Sequence, residues 1–135
     1  MSSNRPVAVV CLAAAFCLAA GCSKEYAHKR IEKAAPEFVA VQAMIDELQA
    51  AGKDELAGVL NRQIAGGLKE PQEKGLRYVL GELARAETVT LKRVDRWRSD
   101  LYRATIQWTT EDDTGTYALL LVRGSDEKLY WAKGN

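Results

Sequence analysis

Beyond position 22 this chain has no cysteine: Cys11, Cys17 and Cys22 are its three, in a sequence of 135 residues. The remaining stretch therefore has no disulfide and no thiolate chemistry. Histidine is almost as scarce, with His28 the single example. That excludes a Ser/His/Asp or His/Cys catalytic device and any site built on several histidines. Charge of one sign is not in excess either, with 19 Lys and Arg against 18 Asp and Glu. A balance of this kind argues against nucleic acid, which calls for a strong basic field. Long apolar runs are missing except for Val7 to Ala20, 14 residues without a charge. As a helix that run covers only about 21 Å, short of the ~30 Å hydrocarbon layer, so a membrane-spanning helix is the weaker reading.

The start of the chain has the order of an export signal. Met1 to Pro6 is polar and carries Arg5; the apolar run follows; Ala19, Ala20 and Gly21 then supply the small residues of a cleavage point. Residues 1–21 read as a signal peptide. The stretch Leu18-Ala19-Ala20-Gly21-Cys22 resembles the lipobox of bacterial lipoproteins. It departs from the commonest form in one respect: Ala19 stands where the family prefers a large aliphatic residue, and Leu18 lies one step earlier. The resemblance implies that the Cys22 sulfur receives a diacylglycerol, that the peptide is cut before it, and that the new amine is acylated, with palmitate a typical chain. Ser23, in place of the Asp that retains such proteins at the inner membrane of enterobacteria, implies the outer membrane and a body facing the periplasm. Loss of the leader removes Arg5 and leaves 18 cationic against 18 acidic residues, a formal charge of zero.

Residues 22–35 read as the lipidated Cys and a charged tether with little to bury. Residues 36–135 read as one α+β domain, helical over 36–86 and sheet over 87–135. Pro36 suits a first helical turn, and Phe38, Val41, Ile45 and Leu48 recur at steps of three and four. Asp54 is placed to cap a second helix lined by Leu56, Val59, Leu60 and Ile64. A third runs from Pro71 to about Arg85, with Leu76, Val79, Leu80 and Leu83 on one face and Gly75 and Gly81 as close-packing positions. After Ala86 the period falls to two, and β-branched and aromatic residues take over. Strands are expected over Thr88–Arg98, with a bulge near Arg93 to Asp95, then over Leu101–Thr110, Thr116–Arg123 and Lys128–Lys133. Together they make a four-stranded antiparallel meander. This pattern over Pro36 to Lys133 resembles the small cystatin-like and nuclear-transport-factor-like domains of bacterial lipoproteins. The resemblance implies a curved sheet wrapped on a helix around a cup.

No catalytic residue, cofactor or metal site is expected. Glu111, Asp112 and Asp113 crowd one loop, but a calcium loop needs acids at alternating positions with a Gly turn, so the loop reads as solvated. Lys92, Arg93, Arg96, Arg98 and Arg103 gather around Trp97 on the first hairpin. Two readings stand side by side: a positive strip with an aromatic centre, suited to anionic head groups or an acidic protein, and an edge guarded against aggregation by its charges. Trp131 and Tyr130 point opposite ways, so one of them is a further partner-facing candidate, with Trp131 taken first. The expected role is a lipid-anchored, non-enzymatic binding, assembly or exclusion/immunity module of the cell envelope. Its partners are the membrane, through Cys22, and an unidentified envelope protein. The alternative is a small-ligand-binding or carboxylate-based enzymatic domain with a cone-shaped cavity. A deep apolar cavity with a buried acid favours the alternative; a filled core with an exposed basic or aromatic strip favours a partner.

Overall fold

The computed structural model describes residues 29–134. The segment read as a signal peptide, together with Cys22, Ser23 and His28, lies outside the described residues. Those described form an α+β fold with three helices, α1 (Pro36–Ala50), α2 (Leu56–Gln63) and α3 (Glu70–Arg85). Five strands make up the sheet: β1 (Lys29–Ile31), β2 (Thr88–Arg98), β3 (Leu101–Thr109), β4 (Thr114–Arg123) and β5 (Leu129–Lys133). All neighbours are antiparallel, in the order β1-β2-β3-β4-β5. The expected meander is β2 to β5.

The fifth strand comes from the segment expected to be a tether. Lys29, Arg30 and Ile31 pair with Arg96, Asp95 and Val94, so Ile31 joins Val94 on the helix-covered side. The folded body thus begins before Pro36. The bulge expected near Arg93 to Asp95 is resolved into two register shifts that flank this segment, one between Leu91 and Arg93 and one between Arg96 and Arg98. Each shift inserts one extra residue into β2, Lys92 in the first and Trp97 in the second, and bends the strand there.

One face of the sheet is covered by the helices. The α1 stripe Phe38, Val41, Ile45 and Leu48 is buried as its spacing requires. It meets Leu76, Leu80 and Leu83 of α3, and below them Leu91, Val94, Tyr102, Ala104, Ile106, Leu119 and Leu121 of the sheet. Each such side chain taken from water contributes roughly 1.5–3 kcal/mol. The helices start without side-chain caps. Pro36 stands in the first turn of α1, where its missing N–H costs nothing. Asp54 does not cap α2; that position falls to Glu55, whose carboxylate instead accepts the Gly52 N–H at 2.9 Å.

Trp131 anchors the far side of the sheet. It is fully buried, and its indole N–H donates to Gln63 Oε1 at 2.8 Å. Gln63 Nε2 in turn donates to Met44 O and Glu47 Oε1 at 3.0 and 2.9 Å. A single amide therefore joins β5, α2 and α1. The outer edge of β5 is covered too: Ala65 N–H donates to Trp131 O at 2.8 Å, and Gln72 Nε2 to Ala132 O at 2.6 Å.

The glycines expected to allow close packing do not do so. Gly75 is exposed with open space around it, and a methyl on Gly81 would meet only the end of Arg85 at 3.5 Å. The close approach occurs at Gly115 on β4. A Cβ there would lie 2.4 Å from Cζ2 of Trp108, its partner on β3.

Candidate interaction surface

The helices leave the second face of the sheet uncovered. The period of two that sends Tyr102, Ala104 and Ile106 inward sends Arg103, Thr105 and Gln107 outward. On β2 it places Arg93 and Asp95 on this same outer face, and on β1 it places Arg30 opposite Asp95.

At the centre of the face stands a four-membered cluster. Asp95 is fully buried, one of two buried polar side chains among the described residues, the other being Gln63. Arg93 clasps it with two groups, Nε to Oδ2 at 3.0 Å and Nη2 to Oδ1 at 2.8 Å. This planar fork is the geometry in which a guanidinium binds a carboxylate most firmly. Arg103 Nη2 stands 3.7 Å from Oδ2, and its guanidinium carbon lies 5.1 Å from the centre of the Trp97 ring. Both arginines still reach water, with side chains 41% and 32% exposed. Asp95 thus serves as an internal counter-ion that sets two cations in fixed places beside an indole. The carboxylate beside Arg93 pushes the guanidinium's proton affinity up, first through the hydrogen bond and then through charge. Arg103 Nε is buried and has no hydrogen-bond acceptor among the described residues.

The structure brings together Arg93, Trp97 and Arg103 of the residues singled out in the sequence. Lys92 is exposed at the first bulge. Arg96, in register with Tyr102, folds back on the β2–β3 turn and donates to Arg98 O and Ser99 O, both at 3.3 Å. Arg98 is exposed beside that turn. Trp131 is a correction: it was the first choice among partner-facing aromatics, yet it has no exposed surface. It lies in register with Leu121, on the covered side, so its size fills the core. The half-exposed aromatic of that pair is Tyr130, which donates its hydroxyl to Asp126. Sequence reading missed Asp95 and Arg30. The signal for Asp95 was its two-residue spacing from Arg93 within a strand.

On the helix side, a cleft of about 700 Å³ opens between α1, the end of α2 and the β4–β5 turn. Ala40, Ala43 and Leu129 are among its apolar lining, with an acid–base pair at each end. Glu37 faces Arg123 at 3.8 Å; Arg123 also donates to the Tyr102 hydroxyl at 2.7 Å and sits over that ring. Glu47 accepts from Arg62 at 2.6 Å. The hydrogen bonds from Arg62 and then Gln63 hold its carboxyl below the usual range. Both acids reach solvent, at 26% and 45% exposure. The buried acid, Asp95, lies across the sheet from this cleft.

The acidic loop is exposed throughout, and Asp113 is occupied with the Thr114 N–H at 2.8 Å. Among the described residues no three His, Cys, Asp or Glu side chains gather as metal ligands, and no helix is long and apolar enough to cross a membrane. No protein-family model, no curated protein and no solved structure matches this chain.

Proposed function

We propose that this protein is a lipid-anchored component of the bacterial cell envelope, attached through a diacylglycerol on Cys22 to the outer membrane and facing the periplasm. In this reading it acts as a non-enzymatic binding, assembly or exclusion/immunity module. The observation that carries the binding role is the Arg93–Asp95–Arg103 cluster beside Trp97, on the face the helices do not cover. A buried acid that fixes two half-exposed cations next to an aromatic ring is a preorganised surface, and preorganisation lowers the ordering cost of association. Arg and Trp are also the residue types that most often dominate binding energy at interfaces.

The anchor is tested by metabolic labelling with palmitate and by membrane fractionation of the wild-type and Cys22→Ser chains. Labelling of the first and loss of label and of membrane association in the second are expected. A substituted chain that matures at the same size and still pellets with membranes overturns the anchor. The binding role is tested by capture of the lipidated protein from membranes, followed by mass spectrometry. A partner that depends on Arg93 and Arg103 supports the role.

The cleft beside α1 favours a second reading, a small-ligand site between the Glu37–Arg123 and Glu47–Arg62 pairs. Its acids are solvated and already paired with arginines, which suits recognition better than proton transfer. A thermal shift produced by a small molecule and abolished by Ala43→Trp would support that reading.

A further inference from the structure

Charge in this molecule is strongly segregated. Strands β1, β2 and β3 carry Lys29, Arg30, Lys92, Arg93, Arg96, Arg98 and Arg103 against one acid, Asp95. The chain from Cys22 onward has 18 cations and 18 acids. Removing those seven cations and that one acid leaves 11 cations facing 17 acids in the remainder. A neutral protein is thus cationic along one sheet margin and anionic elsewhere, with Arg30, Arg93, Arg98 and Arg103 of that margin on the uncovered face and Lys29 and Arg96 in register on the covered side. The cationic margin is also where the chain enters the fold, since β1 begins at Lys29 and pairs with β2.

From these two facts we infer that the uncovered face around Arg30, Arg93, Trp97 and Arg103 lies against the anionic phospholipid head groups of the membrane to which Cys22 is tethered. The inference rests on the anchored reading above and names the partner of the same surface. Six residues separate Cys22 from Lys29; fully extended, the seven Cα–Cα steps reach roughly 25 Å. The acyl chains on Cys22 therefore hold this margin close to the bilayer in any conformation of the connecting residues. Attraction between a basic patch and an anionic leaflet acts over about one Debye length, ~8 Å at physiological salt, and within that range the tether keeps the patch at high local concentration. Arg93 and Arg103 stand half-exposed on this face, and the half-buried Trp97 adds ring surface beside Arg103. Leu101, Leu120 and Val122, half-buried on the same face, add apolar contact. The docked orientation turns the helices away from the membrane. Their two exposed large apolar side chains, Val39 at 54% and Tyr78 at 66%, then face the aqueous side.

The test uses the chain from position 22 onward carrying Cys22→Ser, so that acyl chains contribute nothing. Sedimentation is measured with vesicles of phosphatidylethanolamine containing phosphatidylglycerol, and with vesicles of phosphatidylcholine. Binding to the first, reversed by high salt, and none to the second are expected. Arg30→Gln should weaken it about fivefold, and Arg30→Glu about twenty-five-fold, since each charge near such a surface counts alike. Arg30 is exposed, so these changes do not disturb the core. A head-group spin label should quench Trp97 fluorescence in the lipidated, reconstituted chain. Trp108 and Trp131, on the covered face, should stay bright. Equal binding to both vesicles, no binding to either, or unquenched Trp97 overturns the inference. Capture of an acidic envelope protein through Arg93 and Arg103, without vesicle binding, overturns it while leaving the binding role intact. Failure of palmitate to label wild-type protein removes the anchor instead, whatever the vesicles report.

Discussion

The two faces of the sheet solve the burial problem in opposite ways. On the covered face, Tyr102, Ile106, Leu119, Leu121 and Trp131 are buried among helix side chains, and the polar groups there are few, with the Trp131 N–H bonded to Gln63. On the open face the most deeply buried group is a carboxylate, and what shields it from water is a pair of arginines and an indole. Apolar packing needs no specific partner chemistry. A buried charge does, because stranding it costs several kcal/mol. The covered face therefore sets stability, whereas the open face fixes the placement of charge.

The largest break in this contrast is Trp131→Ala. It removes the biggest buried side chain and orphans Gln63, and should cost about 4 kcal/mol in urea unfolding without changing the open face. Next is Arg93→Met combined with Arg103→Met, which leaves Asp95 buried without a counter-ion. About 3 kcal/mol of destabilisation is expected, and adding Asp95→Asn should recover most of it. If the triple variant is no better than the double one, Asp95 is not the reason the arginines matter. Gln63→Leu sharpens the covered side: it leaves the Trp131 N–H unsatisfied and should cost about 2 kcal/mol. The smallest effect concerns pH. Glu47 titrates lower in the folded protein than in the unfolded chain, because Arg62 and Gln63 bind its charged form. Its contribution is complete above the unfolded carboxylate value of about 4.3 and fades as pH falls through the lower folded value. Since the pair is solvent-exposed, the loss should be under about 0.5 kcal/mol, visible as a pH-dependent urea midpoint that Glu47→Gln flattens.

Much of the covered face was legible in the sequence, because periodicity reports it directly. The α1 stripe and the alternation of Tyr102, Ala104 and Ile106 are burial patterns in their own right. The remainder depended on information that local pattern does not hold. Lys29-Arg30-Ile31 has no strand composition of its own and becomes β1 because β2 offers an edge. Alternation says that Tyr130 and Trp131 point apart, but only the register with Leu121 says which enters the core. Gly115 stands out only once Trp108 is seen to lie over it. The cationic cluster was visible as composition. Its acid was not, because a lone Asp in a basic strand resembles ordinary surface polarity until its neighbours are placed.

One detail of the margins bears on self-association. The Ala65 and Gln72 bonds along β5 close that border, while beyond the three residues of β1 the flank of β2 from Thr88 to Lys92 has no strand beside it among the described residues. An edge strand that offers unpaired backbone groups can take up the same edge of a second molecule. Two molecules joined along β2 in this way would be related by a twofold axis, and the pairing would use up that edge in both.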